Sequence, residues 1–561
     1  MDLDSRIEAH ALANAVKYDG KANPSNVLPK VIAEFPETKK DIAGLRAKID
    51  AIVTEVNTLG KDAQLSKLQA LAPEMLEKKE RKEKDLPPLP NAIEGKVVTR
   101  LPPEPSKYLH LGHALSFVIN TIYAERYHGK VVLRFEDTNP EKENQEFVDA
   151  IIDDITNYLK IPLAATRFVS DDMDTLYDYA RKLIQADGAY MCFCDQETMR
   201  KGREEMRECA CRGKPEAEHL AAWDEFVAGK HQKGESVLRF KGDMASQNTV
   251  MRDPVLFRMV TTPHYKHGAK YKVWPTYDFY NPVEDVLCGV THILRSNEFE
   301  LRIELQQAIK RKLGLVDQEV LQYGRLNISG AVTQGRQIRE LIGTGEYIGW
   351  DDPRLATLKG LKRRGFKREA YFELVKTLGL SPHPVTLDFT MLSAANRKIV
   401  ENCDRYSFIA EPVTIHIAGV SGTRAITLDA HPDRKGGRPL IAGADYLVSK
   451  EDADAFGEKR VRMMGNLTFK KDAQGDSEGY SLVQTEQTKG GHDMIINWLP
   501  AETSEIVPVE VMMPDATVRK GFAEKNISRL SVDEVIQFER FGFCRFDRAE
   551  NEVYHFWFAH K

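Results

Sequence analysis

RLPPEPSKYLHLGHA, residues 100–114, lies between a short strand candidate, Lys96–Arg100, and a run in which Leu115, Val118, Ile119, Ile122 and Tyr123 recur on one helical face. The prolines cannot continue a helix or supply ladder donors, so the segment reads as strand, loop, helix start. Free backbone amides and the helix dipole at such a start favour an anion, above all a phosphate. His110 and His113 are three apart and share a face of the first turn, and Gly112 leaves room for a flat ring to approach the backbone. By itself a His-x-Gly-His pattern is more often a pair of surface or capping residues. Moving outward, Val131–Phe135 is a second apolar strand, and Phe147, Val148, Ile151, Ile152, Ile155 and Leu159 mark a second amphipathic helix. Strand, helix, strand, helix is a parallel α/β unit, whose ligands sit at the carboxyl ends of the strands.

The rest of the 561 residues is enough for further domains at roughly 150 residues each. With 42% hydrophobic and 29% charged residues, usage is that of a folded globular chain. The 79 basic and 84 acidic residues give a net charge of −5, so a nucleic acid has to be met by local patches. The balance itself neither argues for a polyanion partner nor excludes one; the motifs along the chain predict no DNA partner. Seven cysteines in so long a chain, and a start (MDLDSRIEAH) without a basic-then-apolar leader, disfavour a secreted disulfide framework and predict a cytoplasmic protein. The uncharged run Tyr108–Ala124 holds two histidines, Ser116, Asn120 and Thr121 and is too short and polar to span a membrane, so no membrane partner is expected.

Residues 1 to about 85 read as a helical appendage, with Leu65, Leu68, Leu71 and Leu76 at helical spacing and a charged finish, EKKERKEKD, before the helix-stopping LPPLP at 86–90. From about 188 to 270 a cysteine-bearing, charge-rich region with short strands such as SVLRFK interrupts the α/β pattern. Residues 298–380 are mostly helical, and beyond about 395 short alternating strands between Gly, Asp and Pro turns predict an all-β, barrel-like region.

TRLPPEPSKYLHLGHA and LRFEDTNP (133–140) are followed in order by VMRDPVLFR (250–258), PTYDF (275–279), GVTHILRSNEFE (289–300) and GWDDPRLATLKGLKRRG (349–365). This series resembles the class I glutamyl- and glutaminyl-tRNA synthetases, and the strands ending in VIQFERFGFCRFD (535–547) resemble the paired anticodon-binding barrels of the archaeal-type glutamyl branch. The resemblance implies a Rossmann-like catalytic domain in two parts (93–187 and 273–325), interrupted by an α+β acceptor-end-binding insertion (188–272). It also implies a helical stem-contact region (326–394), two anticodon-binding β-barrels (395–561) and an N-terminal helical extension (1–92). The implied reaction uses ATP with Mg2+ to activate L-glutamate as glutamyl-adenylate and pass it to the 3′ end of tRNA(Glu), with tRNA(Gln) left open as a second acceptor. Two alternatives stay open at this point: a glutaminyl enzyme, and a weak or inactive tRNA-binding paralogue.

Residue by residue, the resemblance makes His110 and His113 catalytic and, with Gly112, ATP-binding. It places Arg100 on the substrate side chain, Glu136 on the α-ammonium, and Tyr277 and Asn281 beside the side chain. Arg134 and Asp137 are expected as supports. Arg295 matches an arginine of glutamyl enzymes where glutaminyl enzymes carry a small uncharged residue, and a second cation favours a carboxylate over an amide; the alternative is that it only pairs with Glu298 or Glu300. The second signature departs from the family: RLNISGAVTQGRQIREL (325–341) gives Val332-Thr333-Gln334-Gly335-Arg336, with Gly335 where a lysine is expected. Arg336, catalytic and ATP-binding by position, is left to meet the phosphates, with Arg339 nearby. Lys359, Lys362, Arg363 and Arg364 form a basic cluster expected on tRNA phosphates, or else only a solvated helix face. Cys192, Cys194, Cys209 and Cys211, in a reducing compartment, favour a structural Zn2+ over disulfides, with four unmetallated thiols as the alternative.

Overall fold

The computed structural model describes residues 2–17, 20–75, 86–332, 334–471, 479–484 and 494–561. The charged stretch 77–85, Leu76 and Thr333 lie outside the described residues. The chain divides into two compact units, Met1–Glu83 and Lys84–Lys561.

The small unit contains the helices Leu3–Lys17, Pro24–Glu34, Ile42–Thr58 and Lys61–Leu71 around Ile7, Leu12, Val27, Val31, Ile49, Val53 and Leu68. Asn23 and Asp41 cap the second and third of these, their side chains accepting from the Ser25 and Gly44 amides. The last helix differs from expectation, because Leu65 is exposed and the buried positions are Gln64 and Leu68. Gln64 turns inward because its amide nitrogen donates to the carbonyls of Gly20, Val56 and Leu59, groups that burial would otherwise leave unpaired.

The large unit is built on the expected α/β pattern. Strands Val98–Leu101, Lys130–Phe135 and Ala165–Phe168 pair in parallel, and His292–Ser296 pairs in parallel with Glu319–Tyr323. The Thr291 amide donates to the Val98 carbonyl at 3.0 Å, bringing the two sets edge to edge. The helix Leu111–Arg126 returns the chain from the first strand to the second. Gly129, in the turn between them, has no room for a side chain, since a Cβ there would lie 2.1 Å from the Val97 carbonyl oxygen. The second amphipathic stretch is an α-helix only over Gln145–Asp153 and finishes as a π-turn, Asp154–Tyr158. Leu86 and Leu89 of LPPLP pack in this core, and Tyr123 donates to the Pro87 carbonyl, so the last residues assigned to the N-terminal extension belong to the large unit.

Between the two parallel sets stands a four-stranded antiparallel sheet, Ala189–Cys192, Val237–Phe240, Val255–Met259 and Val273–Pro275. Its last strand runs past residue 272 because it pairs with Val255–Met259 before the chain enters the helix Tyr277–Leu287. The two-stranded antiparallel pair Arg424–His431 and Arg434–Ala442 and two seven-stranded sheets make up the C-terminal region. In one, the two edge strands are Arg405–Tyr406 and Phe408–Ala410, joined through Ser407; in the other they are Met494–Ile496 and Leu499–Pro500, joined through Asn497 and Trp498. Opposite edges made by one continuous piece of chain mean that each sheet closes on itself, which removes its free edges. Phe538 is buried in the first barrel's core with Phe541 half-buried against it, and Arg540 pairs with Asp452. No helix among the described residues is long and apolar enough to cross a membrane.

Candidate active site

A cleft of about 680 Å³ opens at the carboxyl ends of the parallel strands, lined among others by Arg100, Lys107, His110, Gly112, His113, Glu136, Tyr277, Arg295 and Gln334. Its anion-binding end is the start of the Leu111–Arg126 helix. His110 is the N-cap: its Nδ1 accepts from the Gly112 amide at 3.1 Å, and His113 Nδ1 accepts from the His110 amide at 3.2 Å. With both Nδ1 atoms committed as acceptors, the two rings carry their protons on Nε2, which are left as donors. The rings lie 3.8 Å apart. Burial, and then the charge of Lys107, lowers His110 to about 3; burial, His110 and Lys107 drive His113 far below the ordinary histidine value. Both are therefore neutral hydrogen-bond donors at physiological pH. WDDPRLATL holds them from behind, with the Leu111 amide donating to Ala356 and the Leu358 amide to Leu109, each at 2.9 Å.

The floor is a buried charge cluster. Arg100 Nε and Arg134 Nη1 both donate to Asp285 Oδ1, at 2.6 and 2.7 Å, and Asn281 Oδ1 accepts from Arg100 Nη2 and Arg134 Nη2 at 3.2 and 2.7 Å. Burial raises the Asp285 carboxyl, but the two guanidiniums outweigh it and hold it below its usual range. Glu136 is fixed by Arg134 Nη2 on one oxygen and by the Tyr280 hydroxyl on the other, at 2.9 and 3.2 Å. Tyr277, Asn281 and Asp285 fall on one face of the helix Tyr277–Leu287, four residues apart. Asp285 and Tyr280 escaped the sequence reading, although the four-residue spacing from Asn281 was a usable signal for Asp285.

Arg295 Nη1 donates to Gln306 Oε1 at 3.0 Å and to the Tyr277 hydroxyl at 3.3 Å, and its guanidinium lies over the Phe299 ring at 5.7 Å. Neither Glu298 nor Glu300 takes it; Glu298 pairs with Arg325. Its Nε is buried without a hydrogen-bond partner among the described residues. Asp137, by contrast, faces away from the charge cluster and accepts from Ser170 and Tyr265.

The second-signature segment does not bring Arg336 to the cleft. Gln334 lines it, Gly335 begins the helix Gly335–Gly343, and Arg336 is exposed. Arg339 donates to the Ser106 carbonyl at 3.0 Å, tying this helix to the first signature loop. The basic cluster 359–364 is mixed. Arg364 is corrected as a phosphate contact: it is 5% exposed and its guanidinium is spent on the carbonyls of Pro353, Phe558 and Ala559. Arg363 pairs with Asp351 and Asp547 and lies over Trp557, whereas Lys359 is exposed and Lys362 stands 3.6 Å from Asp153.

Away from the cleft, the sulfurs of Cys192, Cys194, Cys209 and Cys211 all lie within 4.8 Å of one another, with Cys192–Cys209 at 3.8 Å and Cys194–Cys211 at 4.0 Å. A tetrahedral zinc with Zn–S near ~2.3 Å requires S···S edges of about 3.8 Å, so the four thiols fit one.

The fold, a first signature whose histidines cap a helix at the strand ends, and an arginine-lined pocket beside it agree with the profile described as tRNA synthetases class I (E and Q), catalytic domain, which matches residues 96–402. The anti-codon binding domain of the same class matches residues 495–547, within the C-terminal barrels. The chain belongs to the class I tRNA synthetases of the E and Q type. Among its relatives are the glutamate–tRNA ligase of Methanocaldococcus jannaschii, 35% identical over 567 residues, and those of Pyrococcus furiosus and Pyrococcus abyssi, each 36% identical. In all three the match covers 100% of both chains.

Proposed function

We propose that this protein ligates L-glutamate to the 3′ end of tRNA(Glu). In the first step an α-carboxylate oxygen of glutamate attacks the α-phosphorus of ATP, forming glutamyl-adenylate and expelling pyrophosphate. In the second, a hydroxyl of the terminal adenosine attacks the acyl carbon and AMP leaves. The observation that carries the reading is the convergence of Arg100, Glu136, Tyr277, Arg295 and two neutral histidine donors on one cleft, in a chain similar from end to end to glutamate–tRNA ligases.

The roles follow from the chemistry of the groups. Glu136, oriented by Arg134 and Tyr280, takes the substrate ammonium. Arg100, whose Nη1 makes no hydrogen bond among the described residues, and Arg295 take the γ-carboxylate by charge-assisted hydrogen bonds; Asn281, bonded to both floor arginines, holds Arg100 in place. The Nε2–H groups of His110 and His113 donate to the phosphate oxygens as negative charge builds on them, a contribution that needs no proton transfer. Gly112 leaves the adenine room against the backbone. Mg2+ enters with ATP and supplies charge at its phosphates.

Zinc held by Cys192, Cys194, Cys209 and Cys211 is structural in this reading, because four protein thiolates leave no open position. Lys359 and Lys362 are the cations of the 358–364 helix left to meet tRNA phosphates, and tRNA(Gln) is a second acceptor to be tested. Seven free cysteines suit the cytoplasm. The test is aminoacylation of separate tRNA(Glu) and tRNA(Gln) transcripts with labelled glutamate and with labelled glutamine. Glutamate on tRNA(Glu) is the expected product; glutamine charged in its place overturns the assignment. Metal analysis should give one zinc per chain, lost in Cys209→Ser.

A further inference from the structure

We propose that Lys107 supplies the positive charge that meets the ATP phosphates, working from the first signature loop. The inference rests on the ATP-dependent reading above and assigns the phosphate cation within it.

Phosphate oxygens in a cleft need a mobile cation as well as hydrogen-bond donors, and the two signature histidines cannot be that cation because both are neutral. Arg336 is exposed outside the cleft lining, and Arg339 is committed to the Ser106 carbonyl. Arg100 is tied down by Asp285 and Asn281 and Arg295 by Gln306 and Tyr277, at the amino-acid end. Lys107 is different in each respect. It lines the cleft at the histidine end and is half-buried, and its ammonium makes no hydrogen bond or ion pair among the described residues. It is close enough for its charge to depress both imidazoles. Glu104 acts on it only through space and makes no ion pair with it among the described residues, and a half-buried lysine without a paired carboxylate is costly unless a ligand anion completes it.

The position of Lys107 depends on Gly335. A Cβ placed on residue 335 would lie 3.2 Å from Lys107 Cδ and 3.3 Å from its Cβ, tighter than ordinary packing. Gly335 has no positive φ to account for the glycine. What the missing side chain provides is room for the aliphatic stem of Lys107 along the start of the Gly335–Gly343 helix. The two positions therefore exchange roles: the loop that usually brings a cation carries the gap, and the loop that faces it carries the cation. A lysine at 335 and the lysine at 107 would compete for the same space and repel each other.

The experiment compares wild type, Lys107→Ala, Lys107→Arg, Arg336→Ala and the double variant Lys107→Ala/Gly335→Lys. The readouts are glutamate- and tRNA-dependent pyrophosphate exchange, with KM for ATP and for glutamate determined separately, and calorimetric binding of Mg–ATP to the same proteins. Lys107→Ala should lose about a hundredfold in kcat/KM for ATP, the usual cost of one such contact, with KM for glutamate within about twofold and an unchanged Tm. Arg336→Ala should lose at least about tenfold less. Lys107→Arg should retain part of the rate, and the double variant should regain at least about tenfold over Lys107→Ala. The inference is overturned if Lys107→Ala stays within about threefold of wild type, or if its defect falls equally on glutamate KM. Wild type that binds Mg–ATP but activates no glutamate would sink the functional reading alone; weaker ATP binding by Lys107→Ala would then still support the cation assignment, and equal binding would refute it.

Discussion

Two buried arginine–carboxylate clusters in the large unit are made of the same groups and differ in how completely those groups are used. In the all-β region Arg438, 1% exposed, donates from Nε and Nη2 to Glu524, from Nη1 to Glu539 and the Asp429 carbonyl, and from Nη2 also to Ser407. Every nitrogen is paired. Under the cleft, Arg100, Arg134 and Asp285 are equally buried, yet Arg134 Nε, Asn281 Nδ2 and Asp285 Oδ2 have no partner among the described residues, and two guanidiniums share one fully buried carboxylate. A cluster that closes on itself can only hold elements together, whereas the one under the cleft leaves polar atoms unspent and presents Arg100 and Glu136 at the cleft wall, where a ligand can meet them.

The largest test of this contrast is Arg438→Met, which strands Glu524 in the barrel interior and should cost about 3–5 kcal/mol of stability. Thermal unfolding should show it, while glutamate activation at low temperature stays near wild type. Adding Glu524→Leu should recover much of the loss, because removing both charges also removes the desolvation cost.

Arg295→Ser should do the reverse. It should leave Tm almost unmoved and cost on the order of 2–5 kcal/mol in kcat/KM for glutamate, while narrowing the preference over glutamine. Competing glutamate and glutamine in the exchange assay measures it directly.

His110→Ala removes one neutral donor and should lower kcat by about a hundredfold, roughly 3 kcal/mol. The pH profile separates a neutral donor from an imidazolium. With His110 near 3 when folded, wild-type rate should show no break near pH 6.5. Stability behaves differently: unfolded imidazoles bind protons below about pH 6.5 that the folded ones refuse. The stability they contribute is complete above that pH and is lost progressively as pH falls towards 3. Acid unfolding of His110→Ala should accordingly be shallower over this window.

The smallest effect is expected from Lys359→Ala. If Lys359 meets one tRNA phosphate, binding weakens about equally for every tRNA and the slope of log affinity against log salt drops by about 1. Arg364→Ala should leave that slope unchanged and lower Tm, since its guanidinium serves three protein carbonyls.

Much of this was written in local pattern. Periodicity at Leu115–Tyr123 and Phe147–Ile155 placed the α/β unit, and spacing brought His110 to His113 and Tyr277 to Asn281, because residues near in sequence on a regular element stay near in space; the two cysteine pairs meet only because the chain folds back across the helix Gln196–Glu204. The alternation of the C-terminal strands also announced barrels, but not that the edge strands at 405–410 and 494–500 are each one continuous piece of chain. Phe538 is core and Phe541 packs half-buried against it, a distinction that aromatic character alone does not make because it does not say which face of a strand is inside.

The sequence by itself determined the order of the elements, the family signatures and the residue types at the cleft. Only the tertiary structure decided which charges are satisfied. Arg364 and Lys359 belong to the same basic run, and nothing local distinguishes the one that packing buries from the one left in water. Gly335 by itself reads as a lost lysine, and Lys107 as an ordinary loop cation. Their meaning depends on a contact between distant loops, and electrostatics acts through distance in space and through desolvation, neither of which is a property of neighbouring letters.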